Sequence, residues 1–140
     1  MAHPKFSISL VTPEGAAFEG DAEMIVVPGA AGEIGVLARH APLVAMLNAG
    51  STRIHLDMDA DDVRTFATGP GFFQVLRDRA IALVDDAVEA SKIDEERARA
   101  QLEAAQSELE AIDSGESSAD RWQVEQRIKH AENQLSVAGR

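Results

Sequence analysis

Apolar and polar residues alternate singly along the chain up to Val84. Phe6, Ile8 and Leu10 form one such set, and Ala22, Met24 and Val26 a second. Thr52, Ile54, Leu56 and Met58 repeat the pattern, as do Phe73 with Val75 and Ile81 with Leu83. A period of two places each set on one face of a β-strand. Turn residues separate the sets: Pro13-Glu14-Gly15, Pro28-Gly29, Asn48-Ala49-Gly50, Asp59–Asp62, Gly69-Pro70-Gly71 and Arg77-Asp78-Arg79. With no helical segment between them, the pattern predicts an all-β sandwich or flattened barrel. A segment of about 85 residues suffices to close one modest core.

Past Asp85 the period changes. Residues 84–92, VDDAVEASK, read as a connector. Asp94 is placed to cap the first turn of a helix, and Glu95 and Glu96 stand favourably at the positive end of its dipole. Ala98, Leu102, Ala105, Leu109 and Ile112 recur at helical spacing, and Val124, Ile128, Ala131, Leu135 and Ala138 form a second stripe. The polar stretch 113–120 between them predicts two antiparallel helices. The expected architecture is therefore a β-sandwich over residues 1–88 followed by a helical hairpin over 89–140. Alanine-rich stripes bury little area, and isolated helices of this length are marginal. Pattern alone leaves two options open, a hairpin fixed on the sandwich and one that docks and undocks.

Composition removes several functional classes. No apolar run reaches the length of a bilayer span, so direct membrane insertion is not expected. The first residues lack the apolar core of a secretory signal. The chain has no cysteine, which rules out disulfides and thiolate metal sites. Its formal charge of −11 disfavours nucleic acid and anionic lipid as partners. Six bases face twelve acids in residues 1–88, and seven face twelve in residues 89–140, so acidity belongs to the whole chain.

Catalytic and metal motifs are scarce. Asp57-Met-Asp59-Ala-Asp61-Asp62 imitates the start of a calcium loop, but Asp62 and Thr68 stand where Gly and Glu are needed, so an acidic hairpin turn is the better reading. His3, His40, His55 and His130 show no metal-ligand spacing. No nucleophile elbow or phosphate-binding Gly-Lys-Ser/Thr occurs. Gly29, Gly32 and Gly35 read as turn residues in a glycine-punctuated loop. His40 beside Ala41-Pro42 and Glu33 between Gly32 and Ile34 read, on residue type alone, as a structural histidine and a solvated acid.

Taken in order, Thr12-Pro13-Glu14-Gly15, Phe18-Glu19-Gly20, Val27-Pro28-Gly29, Gly32-Glu33-Ile34-Gly35-Val36-Leu37 and His40-Ala41-Pro42-Leu43 form a specific series. Gly69, Gly71, Phe72 and Val84-Asp85-Asp86-Ala87 extend it. The series, followed by a helix pair, resembles the epsilon subunits of bacterial and chloroplast F-type ATP synthases over nearly the whole chain. That resemblance implies a non-catalytic rotor subunit, peripheral on the cytoplasmic face of the bacterial inner membrane. It implies the gamma subunit and the c ring as partners of the β part, and the alpha and beta catalytic subunits as a possible target of the helices, with regulation of ATP hydrolysis an open second role. By the same resemblance Gly29, Glu33, Gly35, His40 and Pro42 would face the c ring, Glu33 meeting basic and polar loop tips.

Family members also carry a nucleotide motif at the start of the first C-terminal helix, and Ile93-Asp94-Glu95-Glu96-Arg97-Ala98 matches it. By the resemblance, Ile93, Asp94, Arg97 and Ala98, with Arg127 from the second helix, would hold ATP. Ala104 and Ala131 stand where further bases would be wanted. Helix capping by Asp94 accounts for the same residues, and it is the favoured reading. No cofactor is expected beyond weak ATP binding. A free-standing nucleotide-sensing module is the alternative function, and a small β-sandwich enzyme a distant third.

Overall fold

A computed structural model describes residues 3–138. The strands are β1 (Phe6–Thr12), β2 (Gly15–Ala22), β3 (Met24–Gly29), β4 (Gly32–Leu37) and β5 (Leu43–Leu47), then β6 (Gly50–Asp57), β7 (Asp62–Thr68), β8 (Gly71–Leu76), β9 (Arg79–Val84) and β10 (Ala87–Glu89). A single 3₁₀ turn, Ala90–Lys92, leads to helices α1 (Glu95–Asp113) and α2 (Arg121–Val137). The sheet runs in the order β10-β7-β6-β3-β5-β8-β9-β1-β2, with β4 paired to β3. All pairings are antiparallel except β1 with β9. This sheet folds over into a nearly closed sandwich, so the expected architecture of β-sandwich plus helix pair is the one found.

The core is built where the alternation is clearest. Ile8 and Leu10 on β1, Ile54 on β6, and Phe73 and Val75 on β8 are buried almost completely. Two strands present the opposite face from the one the pattern selects. On β3 Ile25 and Val27 enter the main core; of the expected set Val26 is also buried, outside that cluster, and Met24 is half-buried. Residues 24–27 are all apolar, so no polar residue marks the outer face. On β9 the buried set is Ala80, Ala82 and Val84, while Leu83 is exposed. Ala80 lies between Ile8 and Val75, and Ala82 between Leu10 and Phe73. Those large neighbours fill the space, so only a methyl group fits inward and Ile81 and Leu83 turn out.

The glycine-punctuated segment is more regular than a loop. Residues 24–37 form a β-hairpin, with Gly29 opposite Gly32. A side chain at Gly29 would collide with the Gly32 carbonyl and Ile34, which explains the glycine there. The acidic segment after Asp57 is the β6–β7 turn, its Asp57 carboxylate accepting from the amides of Asp59 and Ala60. Residues 87–89, read as connector, add a short strand to β7.

Asp94 and Asp120 cap the two helices, accepting from the Arg97 and Trp122 amides. Ala98 and Ala105 face Val124 and Ala131 in a tight seam. It is α2 that rests on β6 and β7. That junction is small: Val137 packs with Ala67, Ala90 and Ile93. Asn133 adds two hydrogen bonds of 3.2 Å to the carbonyls of Gly50 and Thr68.

Candidate functional site

The feature that most needs explaining is an apolar face on the outside of the sandwich. Val44 and Met46 on β5, Phe72 and Leu76 on β8, and Leu83 on β9 are 51–72% exposed. Met46 pairs with Phe72 and Phe72 with Leu83, so the side chains form a row across three adjacent strands. Single exposed apolar residues are ordinary, but a contiguous row on a regular sheet face marks an interaction surface. Sequence reasoning missed it because alternation was read only for the inward face. Its signals are the unbroken run Leu43-Val-Ala-Met-Leu47 and the doublet Phe72-Phe73, each apolar on both faces of one strand.

The row continues toward the β3–β4 hairpin. A shallow groove of about 320 Å³ lies between Ala30, Gly32, Glu33, Ile34 and the strand residues Ala45 and Met46. Of the five residues expected to face the c ring, Glu33 lines this groove; Gly35 follows on β4, and His40 and Pro42 stand in the turn into β5. Glu33, Gly35 and Pro42 are exposed, His40 is half-buried, and Gly29 is buried. Gly29 therefore shapes the hairpin without offering a surface. The His40 ring nitrogen Nδ1 lies 2.7 Å from the Ala41 carbonyl, to which it donates, fixing the turn into β5. Glu33 has an internal partner that the sequence did not reveal: it accepts from Arg53 Nη1 at 3.0 Å, from β6 on the other side of β3. With Glu33 59% exposed, the pair is open to water and to any partner.

The five residues of the nucleotide motif are only partly assembled. Ile93, Asp94 and Arg97 line a cleft of about 470 Å³ between the helices and the sandwich. Arg127 lines an adjoining cleft, and Gln101 and His130 border both. Ile93 is engaged in the junction cluster, Ala98 is buried in the helix seam, and Arg127 is held at 2.7 Å by Glu108 across the hairpin. Glu14, Asp86 and Asp94 line the first cleft against Lys92 and Arg97. Three carboxylates beside two cations are a poor setting for a polyphosphate, whose recognition rests on converging cationic and N–H donors.

Two titrating groups report on the junction between the parts. Glu89 closes β10, and the Arg64 guanidinium that hydrogen-bonds it holds its carboxyl below the usual carboxylate range, against a smaller opposing effect of burial. Asp85, in the turn after β9, is pushed up by burial and then by the charge of Asp86, with His130 acting the other way. On the far side, His55 is lowered by burial and by Arg53. Among the described residues, no group of three or more acidic or imidazole side chains is arranged to hold a metal ion.

Comparison with known proteins gives a consistent result over both parts. Residues 5–90 match the family described as ATP synthase, Delta/Epsilon chain, beta-sandwich domain. Residues 91–139 match ATP synthase, Delta/Epsilon chain, long alpha-helix domain. The ATP synthase epsilon chain of Halalkalibacterium halodurans is 37% identical over 137 residues, covering 98% of this chain and 99% of that one. The epsilon chain of Microcystis aeruginosa is 32% identical over 133 residues, covering 95% and 94%. Among solved structures, a chain of the Euglena gracilis mitochondrial ATP synthase, in an assembly of OSCP, F1 and c-ring, superposes with a TM-score of 0.78. It is 21% identical, and the match covers 96% of this chain and 82% of that one, a likeness of fold.

Proposed function

The chain belongs to the delta/epsilon chain family of ATP synthases, and from that membership we propose that it is a non-catalytic subunit of the central stalk, joining gamma to the c ring. The observation that carries this reading is the exposed row Met46–Phe72–Leu83 with Val44 and Leu76. A rotor subunit needs a broad apolar surface to grip its neighbour, because torque must pass through a contact that does not slip. Burying such side chains stabilises a contact by roughly 25 cal/mol per Å² of apolar area. Gamma is the occupant assigned to this face. The c ring is assigned to the adjoining end of the sandwich, with Glu33 and Gly35 on the β3–β4 hairpin, His40 and Pro42 in the turn that follows it, and Gly29 fixing the hairpin's shape. Exposed acidity there suits basic and polar loop tips, and a charged rim selects orientation more than it adds affinity.

No side chain is assigned a chemical step. The chain would sit on the cytoplasmic face of the bacterial membrane as a peripheral component, held by the ring and not by lipid. No helix of the described residues is long and apolar enough to cross a bilayer. The helix pair is assigned a secondary, regulatory position toward the alpha and beta subunits.

The test is co-purification of gamma with the tagged chain from solubilised membranes. Phe72→Asp and Met46→Asp place charges in the centre of the apolar row, and each should cut gamma recovery by at least tenfold while the isolated chain still unfolds cooperatively. Undiminished recovery of gamma with both substitutions together would overturn the assignment of this face.

A further inference from the structure

The junction between α2 and the sandwich combines few apolar contacts with a histidine–carboxylate pair that crosses it. We infer that docking of the helix pair is pH-sensitive: His130 on α2 faces Asp86 in the β9–β10 turn, and protonation of the imidazole tightens the docked arrangement. The inference concerns the chain by itself and holds whether or not the stalk assignment does.

The geometry is specific. His130 Nε2 lies 3.6 Å from Asp86 Oδ2, and the same nitrogen lies 3.1 Å from Gln134 Nε2, one turn along α2. Histidine is the side chain whose charge ordinarily changes between about pH 5 and 8. A neutral ring with its proton on Nδ1 accepts from the Gln134 amide at Nε2, and one with its proton on Nε2 meets Asp86 without a charge. A charged ring forms an ion pair with Asp86 across the junction. Asp85, one residue away, lines the Arg127 cleft together with His130; burial and Asp86 raise its carboxyl, while His130 on α2 lowers it. Acid therefore favours docking through the His130–Asp86 pair.

The other charges facing His130 do not cancel this effect. From the β1–β2 turn comes Glu14, and from the segment entering α1 come Lys92, Asp94 and Arg97. From α2 itself come Arg127, Lys129 and Glu132. Arg127 is engaged by Glu108, leaving a mixed and nearly balanced set around the His130–Asp86 pair.

The rest of the junction is weak enough for such a pair to matter. Its apolar part is Val137 with Ala67, Ala90 and Ile93. Its main fixed polar tie is Asn133 to the Gly50 and Thr68 carbonyls. Against these stands Ser51, paired with Ala67 on the face that α2 covers, whose Oγ is buried without a hydrogen-bond partner. Docking thus carries a standing desolvation cost.

The chain has no native cysteine, so two cysteines at exposed positions, Glu19→Cys and Ser114→Cys, label the sandwich and the hairpin tip specifically. Energy transfer between the labels reads the docked fraction of the full chain, with and without Val137→Ala to bring both states into range. Between about pH 5.5 and 8 the docked-to-undocked ratio should fall twofold to fivefold, the range expected for a half-exposed pair. His130→Gln and Asp86→Asn should each flatten that response, and His130→Lys should keep the hairpin docked at both ends. A ratio independent of pH in the Val137→Ala chain would overturn the inference. So would a response that survives His130→Gln, or one lost in Asp85→Asn but kept in Asp86→Asn.

Discussion

Arg64 joins three weak interactions at one side chain. Its guanidinium lies 5.3 Å from the Phe18 ring centre and 5.4 Å from that of Phe66, and it binds both oxygens of Glu89, at 3.3 and 2.7 Å. Stacking and forked bonding use the same planar group, which lysine could not supply. Arg64→Met should lower stability at pH 7 by about 1–2 kcal/mol, measured by urea unfolding. The sign with pH follows from the depressed Glu89 carboxyl. Its contribution is present above the ordinary carboxylate value and is lost as pH falls through the lower folded value, so wild type and variant should converge in acid. A constant difference down to about pH 2 would assign the effect to ring stacking alone. Glu33 poses a different question, since its partner Arg53 is on the same chain. Glu33→Arg should reduce coupling of proton flow to ATP synthesis, by up to a few kcal/mol if the c-ring contact is dry and under about 1 if it is wet. The double swap Glu33→Arg with Arg53→Glu restores the internal pair. Coupling should stay low in the swap; full recovery would mean that Glu33 serves only Arg53.

At the scale of elements, the division of the chain follows which strand owns the connector. β10 pairs with β7, and its Glu89 is held by Arg64, so the ordered sandwich continues past the boundary at residue 88 expected from the period change. We predict that a chain ending at Lys92 unfolds cooperatively without the helices. A chain ending at Val88, which lacks Glu89, should be less stable by about 1–2 kcal/mol, both read by urea unfolding. Loss of cooperativity in the longer form would show that the helices share the sandwich core. The helices were legible because capping and a 3.6 period are local signals: Asp94, the two stripes and the 113–120 break all stand where the chain shows them. Strands β2, β4, β5 and β7 were not separately legible. Phe18 and Ala22 are the only buried positions of β2, glycines interrupt β4, and β5 is apolar on both faces. What defines these strands is their partners across the sheet, which a period in one segment does not encode. The same holds for the inverted face of β9, set by Ile8, Leu10, Phe73 and Val75. It holds also for the apolar row and the Arg53 partner of Glu33, which no single stretch of sequence contains.

At the scale of the whole molecule, charge decides what the helix pair is able to do. The cleft beside Asp94 and Arg97 is lined by more carboxylates than cations, and Arg127 is already engaged by Glu108. Titration calorimetry at micromolar ATP should therefore show no binding; a micromolar affinity abolished by Arg97→Ala would overturn this expectation. Inhibition of ATP hydrolysis is a separate matter, because it requires the helices to meet the catalytic subunits. The docked form is light in contacts, so geometry does not forbid extension. Residues 89–140, however, carry seven bases against twelve acids, and Glu95, Asp113, Glu125 and Glu108 already take up Arg99, Arg121 and Arg127 within the hairpin. An acidic target would meet mostly repulsion from α1, while α2, with Arg121, Arg127 and Lys129 against Asp120, Glu125 and Glu132, is balanced and retains local contacts. Separating the helices would also release the Arg127–Glu108 pair and expose the alanine seam. The expected result is modest inhibition at most: deleting residues 93–140, which leaves β10 intact, should raise membrane ATPase activity severalfold or less. Activation by about tenfold, equivalent to about 1.4 kcal/mol of lost inhibition, would mean that shape or local contacts outweigh net charge at that interface.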